Sequence, residues 1–263
     1  FAAYAYVGES VVDPIKYYKN NVAETIFLLE ALIENSKKRN SQPIPIVFSS
    51  TCATYGLPLD TEIPISETTR QNPINPYGRS KLMIENILID YHKAYKLPVS
   101  ILRYFNAAGA DIKGDIGEDH NPETHLIPLV LEALYNQDGF IKVNGIDYPT
   151  FDGTCIRDYI HVSDLAKAHV LALNKILNDK SLSIYNLGNG KGYSIMEVID
   201  TAKKVTGKEI KILKSTIWKS YKNIIQKVGP NKFSIFEMRP FQIAGLPPIL
   251  YCLRNCGGGR AAP

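Results

Sequence analysis

"IPIVFSS", residues 44–50, and "VSILRYFN", residues 99–106, are the runs whose reading decides the fold. Both are short, rich in β-branched and aromatic residues, and apolar without strict alternation, as strands covered on both faces read. Residues 77–95, between them, form a long predicted helix. Residues 14–36, before them, form another: Pro14 suits a first turn, and Ile15, Tyr18, Val22, Ile26 and Leu29 recur at helical spacing. Strand and helix alternate, which predicts an α/β fold with a doubly wound parallel sheet. Ligands of such sheets bind beyond the carboxyl ends of the strands, where "SSTCATYG" and "RYFNAAGA" stand.

From about residue 107 the texture changes. "AAGADIKGDIGEDHNPETH" (107–125) reads as Gly- and Asp-rich loop. It is followed by predicted helices 126–136, 163–178 and 194–206, the last two capped by Ser163 and Ser194. Strands are predicted at 140–144, 156–161 and 183–187. Residues 107–212 thus form a smaller α/β lobe, some of whose elements return to the main sheet. Residues 213–263 hold no sustained period and close on "CGGGRAAP"; they read as a divergent, poorly specified tail.

Composition narrows the function classes. The chain has 263 residues, 45% of them hydrophobic, enough for one large or two modest domains. A net charge of +4, spread through helical stretches, argues against nucleic acid as a partner. No apolar run reaches the ~18 residues of a membrane span, so no membrane partner is expected. Four cysteines at 52, 155, 252 and 256 form no CxxC pair, which favours a reducing, cytoplasmic setting. The histidines at 92, 120, 125, 161 and 169 show no HExxH spacing, and no metal site is expected.

"NPINPYGRSKLMIEN" (72–86) carries the chemistry. Tyr77 and Lys81, four apart on a helix, leave the same face about 6 Å apart along the axis. An ammonium beside a phenol is expected to lower its pKa from ~10 toward a range useful for proton transfer. Ser49, Ser50 and Thr51 place three hydroxyls at the end of a buried strand. Hydroxyl, phenol and amine are the parts needed when an alcohol is oxidised by a nicotinamide. Arg157 offers a planar guanidinium suited to a diphosphate, or to a structural pair with Asp158.

These blocks, with "FAAYAYVGESV", "YYKNNV", "IGEDHNPETHLIPLV", "TFDGTCIRDYIHVSDLAKAHVLAL" and "YNLGNGKGYSIMEVI", resemble the UDP-glucose 4-epimerase family, a branch of the extended short-chain dehydrogenases/reductases. The likeness runs from Phe1 to about Ile212. It implies a Rossmann-like fold, NAD as cofactor and a UDP-sugar as substrate. It further implies that Tyr77 is the proton-transferring base, Lys81 its partner and a ligand of the nicotinamide ribose, and Thr51 a hydroxyl assisting at O4. Phe1, Asn20, Ser49, Tyr104 and Phe105 would lie around the cofactor. Asn106, His125, Leu126 and Arg157 would hold the UDP part, His125 standing where Asn is common. Hydride would leave C4 for NAD, and return to the other face of a 4-keto sugar. Helices 14–36 and 77–95 would pair in a homodimer. Related 4,6-dehydratases place Asp-Glu where this chain has Cys52-Ala53, which disfavours dehydration; epimerases of UDP-N-acetylhexosamines or UDP-glucuronate stay open.

The family also begins with a strand, a GxGxxG turn and a helix that receive the cofactor's pyrophosphate, and this sequence contains no GxGxxG. Residues 1–106 are therefore expected to be a partial dinucleotide-binding domain. A catalytically incompetent fragment that does not bind NAD is the alternative expectation.

Overall fold

In the computed structural model, residues 2–216 are described. Among the described residues seven α-helices run in chain order: α1 (Val7–Val12), α2 (Pro14–Tyr17), α3 (Glu24–Lys38), α4 (Pro76–Tyr95), α5 (Leu126–Tyr135), α6 (Val162–Asp179) and α7 (Ile195–Thr206). The strands are β1 (Ile46–Thr51), β2 (Val99–Tyr104), β3 (Asn106–Ala108), β4 (Phe140–Asn144), β5 (Ile156–His161), β6 (Leu182–Leu187), β7 (Gly192–Ser194) and β8 (Lys211–Ser215). They divide between two compact units: Phe1–Phe105 with Leu165–Leu187, and Asn106–Asp164 with the residues from Gly188 on.

The first unit is built on a parallel sheet of order β1-β2-β6. Ile46 lies opposite Val99 and Thr51 opposite Tyr104, so the predicted strands are parallel and in register. β6 joins the far edge of β2, Leu182 opposite Val99. β2 is the middle strand, and its first five residues are buried, which explains its near-continuous apolar sequence. Leu29 of α3 and Ile84 and Leu88 of α4 pack onto Val99 and Ile101. α4 begins one residue ahead of the predicted 77: Pro76 occupies the first turn and the Asn75 side chain accepts from Gly78 N at 2.8 Å. It ends on Lys96 in the left-handed conformation.

The helix predicted at 14–36 is interrupted. Residues Tyr18–Ala23 form π-helical turns between α2 and α3. Asn21, within that segment, is 4% exposed and turns its amide onto the backbone of Tyr4 in both directions, at 3.0 Å each. Such local widening is frequent where a helix carries a functional side chain.

The second unit holds β3, β5 and β7, with β3 parallel and β7 antiparallel to β5, and the parallel pair β4–β8. Its core gathers Ile127, Val130 and Leu134 of α5 with Val198, Ile199 and Ala202 of α7, and Ile141 and Val143 of β4. A capping box, with Ser194 and Glu197 bonding reciprocally, starts α7, and Gly207 in the left-handed region ends it. Leu213, Lys214 and Ser215, which the sequence reading assigned to the tail, belong to β8. The rest of that tail from residue 217, and Phe1, lie outside the described residues.

Candidate active site

In the first unit, Thr51 ends β1 and Tyr77 opens α4. The close approach of these two elements depends on Gly78: a Cβ there would stand 2.5 Å from the carbonyl oxygen of Ala53. With hydrogen at that position the helix start meets the turn after β1, and the Thr51 and Tyr77 side chains are hydrogen-bonded. Thr51 Oγ1 also accepts from Ala53 N at 3.1 Å, which leaves its own proton for the phenol. Tyr77 meets the edge of Tyr17 at 6.5 Å between centroids. Ser80 donates to the Tyr77 carbonyl at 2.7 Å and accepts from Asn21 at 3.1 Å, tying the π-helical segment to the first turns of α4.

The expected effect of Lys81 on the phenol is not what the structure shows. Burial pushes the Tyr77 phenol above its ordinary value, and the Thr51 bond only partly opposes this. Lys81 is itself 7% exposed, and its ammonium donates to Ser49 O at 2.9 Å and lies 5.0 Å from the centre of the Phe48 ring. Burial lowers its pKa to about 8, against the raising influence of Glu85. A cation held on a carbonyl and a ring face withdraws less density from the phenol than one in direct contact.

Glu85 was not singled out from the sequence, although Tyr77, Lys81 and Glu85 share one face at spacings of four. It is fully buried and paired with Arg103 of β2, 3% exposed, at 2.6 Å. Ser50 donates to the same carboxylate, as does Gln71 at 2.9 Å. Arg103 reaches further to Tyr55 at 2.8 Å and Glu67 O at 3.0 Å. One buried ionic network therefore anchors α4, β1 and β2 behind the Tyr77–Thr51 pair. His169, also unforeseen, meets Ser49 Oγ at 3.3 Å and the Tyr104 ring at 6.2 Å. Phe105 is buried, its N–H bonded to Leu187 O at 3.1 Å. Asn20 donates to Ala2 O at 3.0 Å.

The second unit contains a cavity of about 730 Å³, whose lining includes Asn106, His125, Leu126 and Arg157; that is the size of a small-ligand pocket. Asn106 is braced by donating to Asp158 O at 2.8 Å. The Arg157 guanidinium donates to Ile156 O at 2.8 Å. Asp158, the alternative partner weighed for it, directs its carboxylate to Asn189 N and Gly190 N at 2.9–3.0 Å. Burial raises the Asp158 carboxyl to about 6 despite those bonds. His125, at the N-cap of α5, bonds Glu118, which raises its pKa against desolvation. Burial alone would raise Glu118, but the bond from His125 and the charge of the imidazoles hold it below its ordinary value.

With a half-buried tyrosine on a threonine hydroxyl, a lysine one helical turn on and a parallel α/β sheet beneath, the chain falls in the Rossmann-like α/β class. Residues 1–188 match the NAD dependent epimerase/dehydratase family, and the chain belongs to it. It is 52% identical over 210 residues to a UDP-glucose 4-epimerase of Halalkalibacterium halodurans, covering 80% of this chain and 60% of that protein. The UDP-glucose 4-epimerase of Brucella ovis in complex with NAD superposes with a TM-score of 0.75 at 49% identity, over 83% of this chain and 65% of that one. That of Bifidobacterium longum, in complex with NAD+ and UDP, gives 0.74 at 42%, over 82% and 63%. The chain spans about three fifths of the length of the curated relatives it matches.

Proposed function

We propose that this chain carries the proton-transfer and nucleotide-sugar-binding residues of an NAD-dependent UDP-hexose 4-epimerase that interconverts UDP-glucose and UDP-galactose, as in galactose metabolism. The observation behind the reading is the hydrogen bond between half-buried Tyr77 and buried Thr51, one turn from Lys81, and the names of the relatives point the same way. NAD+, when bound, supplies the hydride acceptor for C4 and the donor for the return step. Tyr77 takes the O4 proton as hydride leaves C4, and gives it back when the 4-keto sugar is reduced on its other face. Thr51 donates to the phenolic oxygen and so favours the phenolate while Tyr77 acts as base. Lys81 keeps an ammonium near the pair and would hold the nicotinamide ribose, with Asn20, Ser49, Tyr104 and Phe105 around it. The residues present fit that end of the cofactor; no GxGxxG is in this sequence to hold its pyrophosphate. Asn106, His125, Leu126 and Arg157 would hold the UDP, Arg157 binding the diphosphate bidentately.

We assign residues 1–106 to the dinucleotide domain and 107–212 mainly to the sugar-nucleotide lobe. A homodimer through α2, α3 and α4 would cover Ile15, Phe27, Leu28 and Met83, which are exposed. No helix among the described residues is long and apolar enough to cross a membrane, and we place the enzyme in the cytoplasm. The missing GxGxxG favours a second reading, a chain that does not retain NAD by itself. A coupled assay of UDP-glucose formed from UDP-galactose tests both, run on the 263-residue chain and on the same chain preceded by a relative's GxGxxG segment. Turnover only in the extended protein, abolished by Tyr77→Phe, supports the epimerase with the fragment reading. Turnover in neither, with UDP-N-acetylhexosamines or UDP-glucuronate used instead, would move the substrate assignment; turnover insensitive to Tyr77→Phe would end the reading.

A further inference from the structure

The loop entering α5 reads "EDHNPETH" (118–125), placing Glu, His, Glu and His in an E-x-H-x-x-E-x-H spacing. One ligand atom from each of Glu118, His120, Glu123 and His125 lies within 4.8 Å of all the others. We propose that these four side chains form a site for a borderline first-row divalent cation, zinc foremost, that clips the loop to the start of α5. Nothing in this inference depends on the epimerase reading.

The donor set comes first. Two imidazoles with two carboxylates are ligands that zinc takes readily, whereas calcium and magnesium prefer all-oxygen shells. Distances come second. Zinc bonds of about 2.0–2.2 Å in a tetrahedron set neighbouring donors about 3.3–3.6 Å apart. His120 Nδ1 is 2.9 Å from Glu118 Oε1 and 3.7 Å from Glu123 Oε2, and His125 Nδ1 is 3.3 Å from Glu123 Oε1. One of those separations meets the requirement, one falls below it and one above, so the side chains shift when a cation enters. The His125–Glu118 contact is the tightest of the set and is the one that would open.

Preorganisation comes third. Both Thr124 N and His125 N donate to Glu123 Oε1, at 2.6 and 2.7 Å, which holds that carboxylate facing the imidazoles. The His120 and His125 rings meet edge to face at 5.1 Å between centroids with both Nδ1 atoms turned to carboxylates. All four ligands come from eight consecutive residues, so binding orders little extra chain. Glu118 and His125 also line the 730 Å³ cavity, which sets the cation at its edge, where its charge would reinforce any anionic ligand.

The alternative occupant of these contacts is the proton: two His–Glu hydrogen-bonded pairs and no cation. The test uses the full chain, stripped with a chelator and titrated with Co²⁺ as the probe, then with Zn²⁺ in competition. One equivalent should bind with the visible spectrum of tetrahedral Co²⁺ bound by nitrogen and oxygen, displaced by Zn²⁺, and Zn²⁺ should raise the melting temperature. His120→Ala should weaken binding by at least ~10-fold and keep the metal-free melting temperature; if it does not fold, Glu118→Gln serves in its place. No stoichiometric binding, or binding that both variants leave unchanged, overturns the site. A thiolate-to-cobalt charge-transfer band would do so as well, by placing the metal on cysteine.

Discussion

Two polar clusters, one in each unit of this protein, stand in opposite surroundings. In the first, Thr51, Lys81, Glu85 and Arg103 are all under 9% exposed and sit on β1, β2 and α4. In the second, the side chains of His120 and His125 are 44% and 52% exposed and sit on the loop before α5. The difference teaches where energy and where adaptability reside. A buried ionic network holds because each partner is satisfied, and it ties elements together rigidly. An exposed cluster contributes little to stability, and its His–Glu pairs open at little cost to take a ligand.

Four measurements sharpen or break that contrast, from the largest effect to the smallest. Tyr77→Phe removes the proton-transfer group and should lower kcat of the NAD-loaded, extended enzyme by ~10²–10⁴-fold, the usual share of general acid–base catalysis. A fall of less than 10-fold would take the chemistry away from the first unit. Arg103→Met strands the Glu85 carboxylate with Ser50 and Gln71 alone, and should cost ~3–5 kcal/mol in urea unfolding. His120→Ala in metal-free protein should move the same midpoint by less than ~1 kcal/mol. Equal losses would erase the distinction between buried and exposed clusters.

Arg157→Ala should weaken UDP binding, measured by calorimetry, by ~1.5–3 kcal/mol, the worth of hydrogen bonds to a charged group. Arg157→Lys should recover part of that, since it keeps the charge and loses the fork. The last predictions concern pH, where the two units should respond with opposite signs. Lys81, at about 8 in the fold against 10.5 unfolded, binds fewer protons when native; its share of stability rises as pH climbs from about 8 to 10.5. Asp158, at about 6 against 3.8, binds more protons when native; its share falls as pH climbs from about 4 to 6. Amide exchange in β2 and in β5 should show these slopes. Lys81→Met and Asp158→Asn should flatten the one each controls and leave the other.

Much of the molecule was legible because its signals are local. Buried runs marked β1 and β2, and Ser194 marked the start of α7. The Tyr77–Lys81 spacing was legible for the same reason, since one turn of helix suffices to place both. The interruption of 14–36 by π-helical turns was not, because it is stabilised by Asn21 reaching Tyr4 and Ser80 far along the chain. The extension of β8 to Ser215 depended on pairing with β4, some seventy residues away.

Sequence by itself thus determined the parallel α/β class and put Tyr77 and Lys81 on one face of α4, and the resemblance it carries pointed to Asn106, His125, Leu126 and Arg157, which are among the residues lining the second unit's cavity. Tertiary structure alone decided their electrostatics. A pKa is set by everything packed around a group, and burial of the phenol outweighs the Thr51 bond that lowers it, so the Tyr77 phenol rises where its spacing from Lys81 suggested a fall. It also decided that Glu85, Arg103 and Ser50 form one network and that Glu118, His120, Glu123 and His125 face a common point. Side-chain direction in a loop follows from backbone turns and long-range packing, and neither is written in residue spacing.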